Sequence, residues 1–166
     1  WAMVATVEAL SAKLVERAGK AKLGPGLDPD TQMGPLVSSE QMERVLGYID
    51  SGRKEGAKVL AGGERAGGPL AGGYFVKPTV FIDVKDEMKI AREEIFGPVV
   101  SVMPFDTVDE VVTRANDTPY GLVAGVWTKD IKKAHRLTQQ IKAGVVWVNC
   151  YQFVDAAAPW GGFKQS

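Results

Sequence analysis

The chain has 166 residues, enough to bury a core without staples, and its 20 Lys+Arg balance 20 Asp+Glu, leaving no basic excess to neutralise phosphates. No nucleic-acid partner is expected. One cysteine and one histidine exclude an intrachain disulfide and a Cys/His zinc cluster. Only an all-carboxylate metal set would remain, and none is expected.

In chain order, residues 3–20 place Val4, Val7, Leu10, Leu14 and Ala18 at helical spacing, which predicts an amphipathic helix. Leu23 to Leu36 carries three prolines and three glycines and reads as a loop. Ser38 and Gln41 have capping-box spacing, so a second helix should start there and end at Gly52 or Gly56. Lys58 to Leu60 is a short strand candidate, Gly62 to Gly73 a surface loop or hairpin, and Thr79 to Val84 another β-branched run. Val99 to Phe105 then reads as a strand, Val108 to Asn116 as a helix opened by the Thr107/Glu110 pair, and Leu122 to Trp127 as a strand. Asp130 to Lys142 should be a helix stopped by Gly144, and Val145 to Asn149 a strand.

This βαβαβ order predicts an α/β fold with an open, mostly parallel sheet and flanking helices. Such sheets place ligands beyond the carboxyl ends of their strands, so the segment after Asn149 is where a site is sought. No apolar run is long enough to span a bilayer and no signal-peptide pattern opens the chain, so a cytoplasmic protein with no membrane partner is expected. Trp1 in place of Met, and a loop-like end at Ser166, read as internal points of a longer chain.

Several motifs need weighing against plainer readings. Gly24-Pro25-Gly26 follows a helix and lacks the third glycine of a dinucleotide fingerprint, so it is read as a turn. Cys150 ends a predicted strand, but the only histidine, His135, lies within a helix; a structural or lining role outweighs a reactive thiol. Glu93 and Glu94 are neighbours whose side chains diverge, which argues against a convergent acid pair and for two solvated carboxylates. Against that, Ile95-Phe96-Gly97-Pro98 is an apolar pair and a rigid turn, which would hold one carboxylate at the mouth of the sheet. Asn116-Asp117-Thr118 has the form of a glycosylation sequon but is better read as helix termination before Pro119.

Ala91-Arg92-Glu93-Glu94-Ile95-Phe96-Gly97-Pro98-Val99 resembles the EEIFGPV signature of the NAD(P)-dependent aldehyde dehydrogenase superfamily. In the family's order come also TQMGPLVS at 31–38, EGAKVLAGG at 55–63, GYFVKPTVF at 73–81, RANDTPYGL at 114–122, GVVWVNCY at 144–151 and APWGGFKQS at 158–166. The resemblance covers about residues 23–166; the opening Trp1 to Val7 fits less well. It implies that residues 1–166 form a single, incomplete catalytic domain, with the dinucleotide-binding and oligomerisation parts absent.

In such enzymes an upstream cysteine attacks the aldehyde, the thiohemiacetal passes hydride to the nicotinamide, and a glutamate-activated water hydrolyses the thioester. Neither cysteine nor glutamate falls within this chain, so the resemblance implies no catalytic residue here. It matches Glu94 to the carboxylate that binds the nicotinamide-ribose hydroxyls and Phe96 to the aromatic beside the nicotinamide. Val154 and Trp160 match the wall of the substrate tunnel, and Cys150 does not match the nucleophile. Val154 stands where many relatives carry phenylalanine. Trp160 replaces a common phenylalanine, as in enzymes of betaine-aldehyde type.

The implied cofactor is NAD or NADP, the implied partner a small-molecule aldehyde, and the implied full-length parent a homodimer or homotetramer. A non-enzymatic binding or assembly module that kept the fold predicts the same residues. The coding sequence upstream of Trp1 separates the two.

Overall fold

A computed structural model describes residues 1–166, which divide into two units, Trp1–Pro104 and Phe105–Ser166. In the first, β1 (Ala2–Met3) leads into α1 (Val4–Lys20), the helix predicted from residues 3–20. Its apolar stripe is half covered: Val7, Leu14 and Ala18 are half-buried, Val4 and Leu10 are exposed, and the buried residue of the helix is Ser11. After the expected loop, bridged between Leu23 and Met33, comes α2 (Ser39–Lys54). The Ser38 hydroxyl accepts from the Gln41 amide at 3.1 Å, as the capping spacing requires. Of the two candidate terminators, Gly56 is the one used, at φ +100° just beyond the helix.

Gly52 instead lies buried inside α2. A Cβ there would stand 2.8 Å from Ile90 Cδ1 and 3.2 Å from the Phe81 ring, so the missing side chain lets the helix lie directly on those residues. Next come β2 (Lys58–Ala61), a 3-10 turn at Gly68–Leu70, β3 (Thr79–Ile82), the short α3 (Lys89–Arg92) and β4 (Val99–Ser101). β3 pairs antiparallel with β2 and parallel with β4, in the register Thr79 with Val99. Val45, Ile49 and Phe81 are fully buried where α2 meets this sheet. Such side chains each contribute about 1.5–3 kcal/mol.

The strand expected from Val99 to Phe105 is broken. Val102 and Met103 are both buried, which a pleated strand with one face inward cannot satisfy at consecutive positions. The chain leaves the ladder there and resumes as β5 (Pro104–Phe105), next to β1.

In the second unit, α4 (Val108–Asn116) is capped by Thr107, whose hydroxyl accepts from the Glu110 amide at 3.2 Å. β6 (Val123–Val126), α5 (Ile131–Gln140) and β7 (Val145–Val148) follow, with β6 and β7 parallel and in continuous register. α5 stops two residues short of the expected Lys142, because a residue of α4 takes its terminal groups. The Asn116 side chain donates to the Gln140 carbonyl at 2.9 Å and accepts from the Lys142 amide at 2.8 Å, replacing helical partners.

The class is α/β with flanking helices and small parallel and mixed sheets. The βαβαβ run does not build one ladder: β4 takes β3 as its parallel partner, whereas β6 pairs with β7.

Candidate functional site

The turn after α3 is assembled residue by residue. The buried Tyr48 hydroxyl donates to Glu93 Oε2 at 2.7 Å, and Lys89 Nζ stands 4.9 Å from the Tyr48 ring centroid. The bond to the carboxylate, with burial second, pushes the Tyr48 phenol up from its ordinary value. Glu93 is exposed, as its position suggested, and is tethered through one carboxylate oxygen. Its neighbour Glu94, directed elsewhere by the backbone, is exposed.

Phe96 has φ +51° and is 74% exposed. A bulky residue in the left-handed region costs about 1–3 kcal/mol and persists only where its surroundings fix it. They do so here. Gln41 Nε2 donates to the Ile95 and Phe96 carbonyls at 3.2 and 3.0 Å. Gly97 lies so close to α2 that a Cβ would stand 2.5 Å from Val45 Cγ2, and the Pro98 carbonyl accepts from the Thr79 amide at 2.8 Å. The outcome is an exposed carboxylate and an exposed aromatic ring two residues apart on a braced turn. A carboxylate has two acceptor oxygens, the number that a pair of vicinal hydroxyls needs, and the ring can flank a planar heterocycle. These features fit the ribose and ring of a nicotinamide nucleotide.

In the second unit the strands end in a stitched corner. Asn149, at φ +55°, accepts from the Thr128 amide at 2.9 Å through Oδ1 and donates back to the Thr128 carbonyl at 3.0 Å through Nδ2. A cleft of about 480 Å³ opens beside this corner, lined by Trp127, Thr128, Lys129, Ile131, Ala134, Val148 and Asn149. Cys150 follows as an exposed free thiol, and His135 lies exposed on α5.

Trp147, almost wholly buried on β7, anchors the loop beyond. Its indole N–H donates to the Phe153 carbonyl at 2.8 Å, and its ring meets Tyr151 edge-on at 5.0 Å and Trp160 at 6.5 Å. Val154 and Trp160 both lie exposed on that loop.

Glu94 and Phe96 thus share one turn of the first unit, and Val154 and Trp160 share one loop of the second. Of the supporting residues, Trp147 lies within the 144–151 motif, whereas Gln41 and Tyr48 fall outside every motif quoted above. Gln41 is legible only as a capping partner, because its carbonyl acceptors lie 54 and 55 residues away.

Comparison with known proteins agrees in sequence and in fold. A betaine aldehyde dehydrogenase from Mesorhizobium japonicum is 54% identical over 155 residues, covering 93% of this chain and 32% of the relative. The NAD+ complex of an aldehyde dehydrogenase from Bacillus cereus superposes with a TM-score of 0.94 at 56% identity, covering 98% of this chain and 33% of that one. The betaine aldehyde dehydrogenase of Staphylococcus aureus, in complex with NAD+, gives a TM-score of 0.95 at 41% identity over the same shares. The chain spans about a third of the length of these relatives. The Aldehyde dehydrogenase family pattern matches from residue 4 to residue 166, through both the Glu94–Phe96 turn and the Trp160 loop, and the chain belongs to that family.

Proposed function

We propose that residues 1–166 are the downstream part of the catalytic domain of an enzyme that oxidises an aldehyde to its carboxylic acid with NAD or NADP. The observation that carries this reading is the braced turn: Phe96 is held at φ +51° with its ring in the open, beside the exposed carboxylate of Glu94. A structure that keeps a strained, solvent-facing aromatic through the Gln41 amide, the packing of Gly97 on Val45 and the Pro98–Thr79 bond supports a recognition role for it.

In this reading Glu94 accepts hydrogen bonds from the two ribose hydroxyls next to the nicotinamide, and Phe96 limits the tilt of the ring. The bound nucleotide supplies the hydride acceptor. Fixing its ring fixes the direction from which hydride can arrive, which is worth orders of magnitude in rate. Val154 and Trp160, on the loop hung from Trp147, line the approach of a small-molecule aldehyde. The nucleophile and the general base are assigned to the polypeptide upstream of residue 1, and no residue of this chain is given a catalytic role. Discrimination of NAD from NADP and assembly as a homodimer or homotetramer are likewise assigned to parts outside residues 1–166.

The test compares the 166-residue chain with the complete polypeptide that contains it. The complete polypeptide should reduce NAD or NADP in the presence of an aldehyde, and the isolated chain should not exceed a buffer blank. Turnover by the isolated chain that survives Cys150→Ala would show that the chemistry has been assigned to the wrong place. Turnover lost on that change would make Cys150 the nucleophile.

A further inference from the structure

The loop that carries Val154 and Trp160 is fixed at both ends. It leaves β7 through Asn149 and Gln152, at φ +55° and +61°, and its first half hangs from the Trp147 indole. The second anchor follows Trp160. The Phe163 amide donates to the Gly121 carbonyl at 3.0 Å, the Gln165 amide donates to the Pro119 carbonyl at 2.9 Å, and the Ser166 hydroxyl accepts from the Gly121 amide at 3.0 Å. Residues 163–166 are thereby clasped to the segment that joins α4 to β6.

Lys164 sits at the centre of this clasp. Its φ of +59° is one that a lysine keeps only where its surroundings fix it. The fixing comes from its own side chain, whose Nζ donates to the Asn116 carbonyl at 2.7 Å and to the Thr118 carbonyl at 2.9 Å. Asn116 closes the last turn of α4, where carbonyls lack helical partners and a cation is favoured. Asn116 is itself held, because its side chain bridges the Gln140 carbonyl and the Lys142 amide at the end of α5. A Cβ on Gly144 would collide with the Gly161 carbonyl, so the chain next to Trp160 lies directly on the approach to β7.

Trp160 is more than half exposed and meets the Trp147 ring only at 6.5 Å, so packing alone holds it loosely. We infer that Lys164 is a positioning residue for substrate binding: by tying the chain just beyond Trp160 to the end of α4, it sets where the Trp160 indole stands on the aldehyde's approach. This rests on the proposed reading of Val154 and Trp160 as the wall of that approach.

The test uses the complete polypeptide and a neutral aldehyde. Lys164→Met keeps the apolar stem and removes the donor, Lys164→Arg restores a donor, and Trp160→Leu is the reference. KM for the aldehyde should rise roughly three- to tenfold in Lys164→Met, with kcat and the dissociation constant of the dinucleotide changed by less than about twofold. Lys164→Arg should recover most of the loss. A role confined to stability would lower the melting temperature and leave KM alone.

Because Lys164 acts through Trp160, the double variant Lys164→Met/Trp160→Leu should have nearly the KM of Trp160→Leu, and additive effects would overturn the positioning role. If Lys164→Met does not fold, Ser166→Ala, which removes a single bond of the clasp, decides: a raised KM supports the role and an unchanged one overturns it. An unchanged KM in Lys164→Met beside a raised one in Trp160→Leu would overturn the positioning role and leave the loop as the wall. An unchanged KM in Trp160→Leu as well would remove both.

Discussion

Trp160 is the residue through which substrate preference is most open to test. It is 54% exposed and 6.5 Å from the Trp147 ring. A tryptophan face attracts a desolvated quaternary ammonium by about 2 kcal/mol, roughly thirtyfold in relative preference, whereas for a neutral aldehyde it offers only apolar area. In the complete polypeptide, Trp160→Leu should lower kcat/KM for betaine aldehyde more than for a neutral aldehyde of similar size. An unchanged ratio between the two substrates would reduce Trp160 to a packing role. At this scale a motif singles out Glu94, Phe96 and Trp160, and the structure places all three at the surface. The silence of the sequence at Gln41 and Tyr48 has a physical cause: their partners are backbone carbonyls and a neighbouring carboxylate brought near only by folding, 45 to 55 residues along the chain.

Among the elements, the helix starts were the most legible features, because a cap is a contact between residues three apart. Ser38 with Gln41 and Thr107 with Glu110 both form the hydroxyl-to-amide half of the capping box, while the Gln41 side chain turns to the Ile95 and Phe96 carbonyls and Glu110 accepts from the Asp106 amide. Ends depended on distant residues, as when Asn116 of α4 takes over the last groups of α5. The end of α2 is tied similarly to α3. The Glu55 carboxylate accepts from the Ser51 hydroxyl and, at 2.8 Å, from the Lys89 amide. These bonds, the Ser51 one first, hold the Glu55 carboxyl below its ordinary value. A carboxylate depressed in the folded state stabilises fully above its unfolded pKa, and that contribution is lost as pH falls through the folded one. Urea midpoints followed from neutral pH into the acid range should therefore fall less steeply in Glu55→Gln than in wild type. Superimposable slopes would mean that Glu55 does not couple α2 to α3. The broken strand after Val99 was not legible, since two apolar residues in succession continue a strand pattern equally well until both must be buried.

For the whole molecule, the α/β class followed from alternating strands and helices, but the ladder partners did not. Pairing β4 with β3 is a choice between distant segments that local pattern does not encode. Val4 and Leu10 are exposed whereas Val7, Leu14 and Ala18 are half-buried, so the apolar periodicity that located α1 did not tell which of its positions are covered. No helix is long and apolar enough to cross a membrane. What the fold does present is a braced turn with Glu94 and Phe96 outward and an anchored loop with Val154 and Trp160 outward, in a family whose solved members include NAD+ complexes. In the proposed function the first of these orients a nicotinamide. Single-turnover hydride transfer in the complete polypeptide carrying Glu94→Gln tests it most directly, because the change keeps the shape of the side chain and turns one acceptor into a donor facing hydroxyls. A transfer rate at least about tenfold slower is expected, with dinucleotide affinity nearly unchanged. A wild-type transfer rate would remove Glu94 from the site.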